Sequence, residues 1–250
     1  GDLIRGIESK VAFRALNEFG KPADVEGIIL NSKGKKVADF SSFHNGMGAF
    51  EITPALGETY TAKITNPVGI KEEYILPEPL NRGYVLGVEN ANANELLLNI
   101  STTETEELSL VGQVRGKICY ATAVQAKAGQ NQLLIPASVF PMGVAQFTLF
   151  DSKGIERAER LAFVNKNQHL SVSIATDKDK YLPREKVNMT ITVKDERGMP
   201  MPANLSLSVV NDQLLSFADD KSGNILSKML LEYDIKEKIE EPNFYFDAKE

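Results

Sequence analysis

Tryptophan is absent from this chain of 250 residues, and it contains one cysteine and two histidines. A single cysteine rules out a disulfide framework within the chain. With His44 and His169 far apart in sequence, the usual zinc sets of cysteine and histidine cannot be assembled either. No apolar run approaches the roughly 20 residues that span a bilayer, and no secretory signal opens the chain. Lysine and arginine number 28 against 34 acidic residues, a net charge of −6, with no basic cluster. Nucleic-acid binding, which needs a basic face, is disfavoured on that ground. A hydrophobic content of 42% with 25% charged residues excludes a disordered chain.

Turn signals are abundant. Asn or Asp followed three positions later by Gly occurs at Asn17 and Gly20, Asn31 and Gly34, Asp151 and Gly154, and Asp195 and Gly198. The first residue caps a type I turn with its side chain, and the glycine takes the left-handed conformation that starts the next strand. Asn45-Gly46 and Asn66-Pro67-Val68-Gly69 are further turn signals. Between the turns, apolar and polar residues alternate: Val187, Met189, Ile191, Val193; then Ala203, Leu205, Leu207, Val209; and likewise Leu170, Val172, Ile174. A period of two puts one row on a core and the other in water.

This pattern predicts an all-β protein of tandem antiparallel sandwiches in three modules, residues 1–79, 80–167 and 168–250. Strands are expected at 11–16, 25–30, 36–40, 49–52, 59–64 and 73–76, ending at Pro77 and Pro79. In the second module they are expected at 84–88, 95–101, 108–114, 117–126, 132–135, 143–150 and 159–164. The third begins with two strands joined at Asp195 and does not finish. An amphipathic helix is expected at 224–233, capped by Ser222 or Asn224. Gly1 and the abrupt end at Glu250 lead to the expectation of an excised piece of a longer protein.

Few residues carry a signature of chemistry. Neither histidine has a nucleophile motif beside it, His44 being expected in an exposed loop. Glu104, Glu106 and Glu107 lack the spacing of a calcium loop and are expected to be solvated. Gly46-Met47-Gly48 is too short for a phosphate loop. Cys119 lies in an apolar stretch, yet Arg115 and Lys117 share its parity on a regular strand, which leaves its exposure open. The expectation is therefore no catalytic residue, no cofactor and no metal. Phe217, Phe244, Tyr245 and Phe246 fall outside the sandwich pattern and form the candidate interaction surface, because aromatic side chains anchor interfaces. Packing against the missing strands of module three is the alternative.

The segment Thr176-Asp177-Lys178-Asp179-Lys180-Tyr181-Leu182-Pro183-Arg184-Glu185-Lys186-Val187 resembles the opening of an alpha-2-macroglobulin-like domain, with Arg184 where that motif usually has glycine. The first module resembles a companion domain through Gly20-Lys21-Pro22, through Gly46-Met47-Gly48-Ala49-Phe50, and through Pro54, Gly57 and Tyr60. Ala158-Glu159-Arg160-Leu161-Ala162-Phe163-Val164 is similar to large macroglobulin-like envelope proteins of Bacteroidetes-type bacteria. The resemblance implies seven-stranded, fibronectin-like sandwiches in an exported protein of the periplasm or outer-membrane surface of a Gram-negative bacterium. It implies a tandem array of the kind that often precedes a TonB-dependent receptor plug-like region. Nothing around Cys119 matches the thioester sequence of classical macroglobulins. The functional expectation is a non-enzymatic structural and interaction array whose partners are other domains of the same protein or another envelope protein. The alternatives are a macroglobulin-type protease trap and carbohydrate-binding accessory modules.

Overall fold

A computed structural model describes residues 2–166, 168–211, 213 and 223–246. The strands are β1 (Ser9–Arg14), β2 (Glu26–Asn31), β3 (Lys36–His44), β4 (Met47–Ile52), β5 (Tyr60–Asn66), β6 (Glu73–Ile75), β7 (Tyr84–Asn90) and β8 (Glu95–Thr102). They continue with β9 (Glu106–Val114), β10 (Lys117–Ala126), β11 (Gly129–Pro136), β12 (Gly143–Phe150), β13 (Glu156–Val164), β14 (Ser171–Thr176) and β15 (Met189–Lys194). The chain divides into two compact units, Gly1–Phe140 with Ala145–Ala162, and Pro141–Val144 with Phe163–Glu250.

All four sequence-predicted turns form, and they share one geometry. In each, the glycine N–H donates to the carbonyl of the Asn or Asp three residues earlier, at 2.9–3.0 Å. The Asn or Asp Oδ1 accepts from the N–H groups two and four positions on, as in Asn31 with Lys33 at 3.1 Å and Lys35 at 2.9 Å. The glycines sit at φ 71, 72, 73 and 77°, the left-handed region where only glycine pays no Cβ penalty.

β1 to β6 make one six-stranded sheet in the order β1-β4-β3-β2-β5-β6. β3 belongs to both limbs of it: residues up to Ser41 pair with β2, and Ser42 and His44 pair with β4. The sheet thereby folds over a single cluster of Leu3, Val25, Ile29, Phe40, Phe50, Ile52 and Tyr60. Two register pairs in it set glycine under an aromatic ring, Gly27 opposite Phe40 and Gly48 opposite Phe13. β7 to β13 form the next sandwich, a four-stranded sheet β10-β9-β12-β13 and a three-stranded sheet β11-β8-β7. Leu98, Ile100, Leu110, Ile135, Phe147 and Leu149 are fully buried there. Between the sandwiches Leu80 is held by the N-terminal segment, the Arg5 N–H donating to its carbonyl at 3.0 Å and its own N–H to Leu3 at 2.8 Å.

The exposure of Cys119, left open by the sequence, is decided by a shift of the β9–β10 register between Ile118 and Tyr120: Cys119 sits in a bulge and is half-buried. Two readings of apolar alternation are corrected. The alternating segment 203–209 forms no strand: β14 and β15 make a two-stranded sheet among the described residues, and Leu205, Leu207 and Val209 are exposed. A two-stranded ribbon has no opposing layer, so Val172 and Ile174, read as half-buried, also stay exposed.

The expected helix is shortened to an α-helical turn, Ile225–Ser227, followed by a π turn, Lys228–Glu232. Asn224 caps it in a reciprocal box with Ser227. Ser222, the other candidate cap, lies outside the described residues.

Candidate functional site

Phe217, one of the four aromatic residues proposed as an interaction surface, lies outside the described residues. The other three lie in a 3-10 turn, Pro242–Phe246, and all are half-buried. Phe246 meets Phe163 of β13 edge to face, with centroids 5.7 Å apart, and Phe244 meets Tyr245 the same way at 5.4 Å. Burial, helped by the charge of Glu240, raises the pKa of the Tyr245 phenol. Much of the aromatic area is thus spent within the chain. Phe163, hidden in a strand pattern, carried no sequence signal for this contact.

The histidines take no part in a shared constellation. His44 is a half-buried residue at the end of β3 rather than in a loop, its Nε2 3.1 Å from Asn45 Nδ2. His169 is exposed. Among the described residues no three His, Cys, Asp or Glu side chains gather as metal ligands. The acidic group is dispersed, Glu104 pairing with Arg82 at 3.0 Å while Glu106 faces Tyr84 and Thr102.

One polar constellation was not singled out as a site by the sequence. Asp151, 7% exposed, opens the third turn. Its Oδ1 accepts from Lys153 and Ile155 at 2.9 Å, and its Oδ2 accepts from Arg157 Nε at 2.9 Å and Nη2 at 2.7 Å. The Ile155 backbone bond, then Arg157, holds the carboxyl below its ordinary range. Arg157 is driven the opposite way by the same bond. Nearby, Tyr84 is pushed up to about 12, mainly by burial and then by its hydrogen bond to Glu106. The turn signal at Asp151 was legible. Its ion pair was not, because Arg157 is six residues on and reaches back across the hairpin.

This set works as a clasp. The stabilisation from Asp151 is complete above the ordinary aspartate range near pH 4 and is lost as pH falls through the lowered folded value. Denaturant titrations at a series of pH values are therefore expected to show part of the acid sensitivity vanishing in Asp151→Asn. An unchanged pH profile would contradict the clasp.

The loop between β14 and β15 is a second self-contained network. Asp177 accepts from Tyr181 Oη and from Asn188 Nδ2, the latter at 2.9 Å, and both bonds lower its pKa. Glu185 takes Lys178 Nζ and the Leu182 N–H. Arg184 stands at φ 67°, so the position suits glycine although arginine occupies it. Left-handed backbone costs a non-glycine residue roughly 1–2 kcal/mol, and glycine's extra unfolded-state entropy returns about half. Arg184→Gly is expected to stabilise the loop by about 0.5 kcal/mol, read as slower hydrogen exchange at residues 182–188. Faster exchange would show that the arginine side chain contributes more than its backbone costs.

The strand orders define the described chain as an all-β protein of tandem antiparallel sandwiches, followed by a two-stranded ribbon and a short helical segment. No family model matches it. No curated protein matches it. Among solved structures it is similar to trypsin-activated alpha-2-macroglobulin from Escherichia coli at 12% identity and a TM-score of 0.24. The match covers 79% of this chain and 18% of that one.

Proposed function

We propose that the chain is a non-enzymatic structural and interaction array of a bacterial envelope protein, its sandwiches positioning a receptor or partner-binding region elsewhere in a longer polypeptide. The observation that carries this reading is where the polar chemistry goes. Asp151, Asp177 and Glu185, the aspartates and one of the glutamates with displaced acidities, are each bound to the backbone and side chains of their own turn or loop. Carboxylates committed in that way hold the chain's shape. The resemblance of the 158–164 segment to macroglobulin-like envelope proteins supports the exported setting, and with it a TonB-linked receptor region downstream.

Fractionation of cells expressing the full-length protein is expected to recover it with the envelope, and excision of residues 1–165 to leave partner affinity in solution intact while impairing function at the cell surface. Recovery in the cytosol would overturn the setting. Turnover of a peptide or glycan substrate that disappears in His44→Ala would overturn the non-enzymatic reading.

A further inference from the structure

The ribbon β14–β15 has one apolar face. Val172 pairs with Val193 and Ile174 with Ile191, and Met189 extends the row, while Ser173, Thr190 and Thr192 occupy the other side. Val172, Ile174 and Met189 are 51, 59 and 37% exposed. Exposed alongside them is the alternating segment 203–209.

The first sandwich contains the same approach to such a segment, with its outcome visible. There Leu16 bridges Pro22 across the Asn17 turn, and the Ala23 N–H donates to Ala15 at 3.2 Å. In the ribbon Lys194 bridges Pro200 across the Asp195 turn, and the Met201 N–H donates to Val193 at 3.0 Å. Residue by residue, Asn17, Gly20, Pro22 and Ala23 correspond to Asp195, Gly198, Pro200 and Met201. Past the first turn the chain runs through Val25 into β2, and Val25, Gly27 and Ile29 are buried. Val11, Phe13 and Ala15 before the turn pack against that same cluster.

Carried to the ribbon, the correspondence sets Ala203, Leu205 and Leu207 at the buried positions of Val25, Gly27 and Ile29. Met189, Ile191 and Val193 fall at those of Val11, Phe13 and Ala15. Both rows are apolar throughout. We infer that residues 203–209 are a strap that closes as a strand over the apolar face of β14–β15, and that the exposed arrangement is its open form. The inward side chains would then leave water, which is the driving force for closure. Asn204, Ser206 and Ser208 would remain outside.

Hydrogen exchange on the full chain tests this without any substitution. Closure is expected to slow the amides of 203–209 on the order of a hundredfold relative to an unstructured peptide. In a Cys119→Ser background, a bifunctional thiol reagent that spans the roughly 10 Å between facing sheet layers is expected to link Ile191→Cys to Leu207→Cys within one chain and to link Ile191→Cys to Ser208→Cys far more slowly. Intrinsic exchange rates across 203–209 would overturn the proposal, as would equal linking of the two pairs. Protection that grows with protein concentration, or links formed only between chains, would also overturn it by assigning the face to a second copy.

Discussion

Gly48→Ala is expected to unfold the first sandwich, costing at least about 3 kcal/mol, in the range of severe overpacking. A Cβ at Gly48 would lie inside 3.0 Å of both the Phe13 ring, its register partner, and the Ser41 carbonyl oxygen. The ring could turn aside, but the oxygen belongs to β3 where that strand passes between its two limbs. Gly112 in the second sandwich provides the contrast. The three atoms nearest its Cβ would belong to side chains, Phe140 at 2.9 Å and Phe147 at 3.2 Å. Gly112→Ala should therefore cost less, about 1–3 kcal/mol, and be partly rescued by Phe140→Leu. Phe13→Leu should not rescue Gly48→Ala. Urea melts of the single and double variants measure both couplings, and equal rescue at the two sites would show that the Ser41 carbonyl yields.

Phe147→Ala is expected to lower stability by about 3–5 kcal/mol, the range for deleting a buried aromatic side chain. Phe147 is fully buried in β12 and stands 5.2 Å from Phe140 in an edge-to-face pair. Opposite it is Gly112, which has no side chain to move into the space. The cavity therefore keeps most of its volume, because backbone paired on both sides in a sheet relaxes little. Phe147→Leu should recover more than half of the loss. If Phe147→Ala melted within about 1 kcal/mol of the native protein, the second sandwich would be far more plastic than its packing implies.

These pairs show why part of the fold escapes sequence reading. Gly27, Gly48 and Gly112 interrupt strands by propensity, and alone each suggests a weak point. In the structure each is the place where a ring crosses from the neighbouring strand, and the partners Phe40, Phe13 and Phe147 are known only once register is set. The bulge at Cys119 is a similar case, since one extra residue in β10 breaks the alternation that a regular strand would carry past Lys117. Among the aromatic residues of the candidate surface, Phe246 found Phe163, a contact between a tail and a strand about eighty positions earlier in the sequence. No local pattern encodes a pairing over that separation.

By itself the sequence determined the all-β class, the four turns with their capping residues, and the inward and outward rows of most strands. Each depends on a few neighbouring residues: an Asx side chain reaching its own turn, a glycine without a Cβ, a side-chain period of two. Only the Asn31 and Asp151 turns close hairpins, since β1 and β2 on either side of the Asn17 turn do not pair and, among the described residues, no strand follows the Asp195 turn. Tertiary structure decided which limb each strand joins, with β3 serving both, and where Arg157 locks the Asp151 turn. It also left 203–209 in the open, although its alternation is stricter than that of β2, where Ile28, Ile29 and Leu30 run together. Alternation marks a segment able to cover an apolar face, but burial requires a second layer at the right place, and that layer comes from distant parts of the chain.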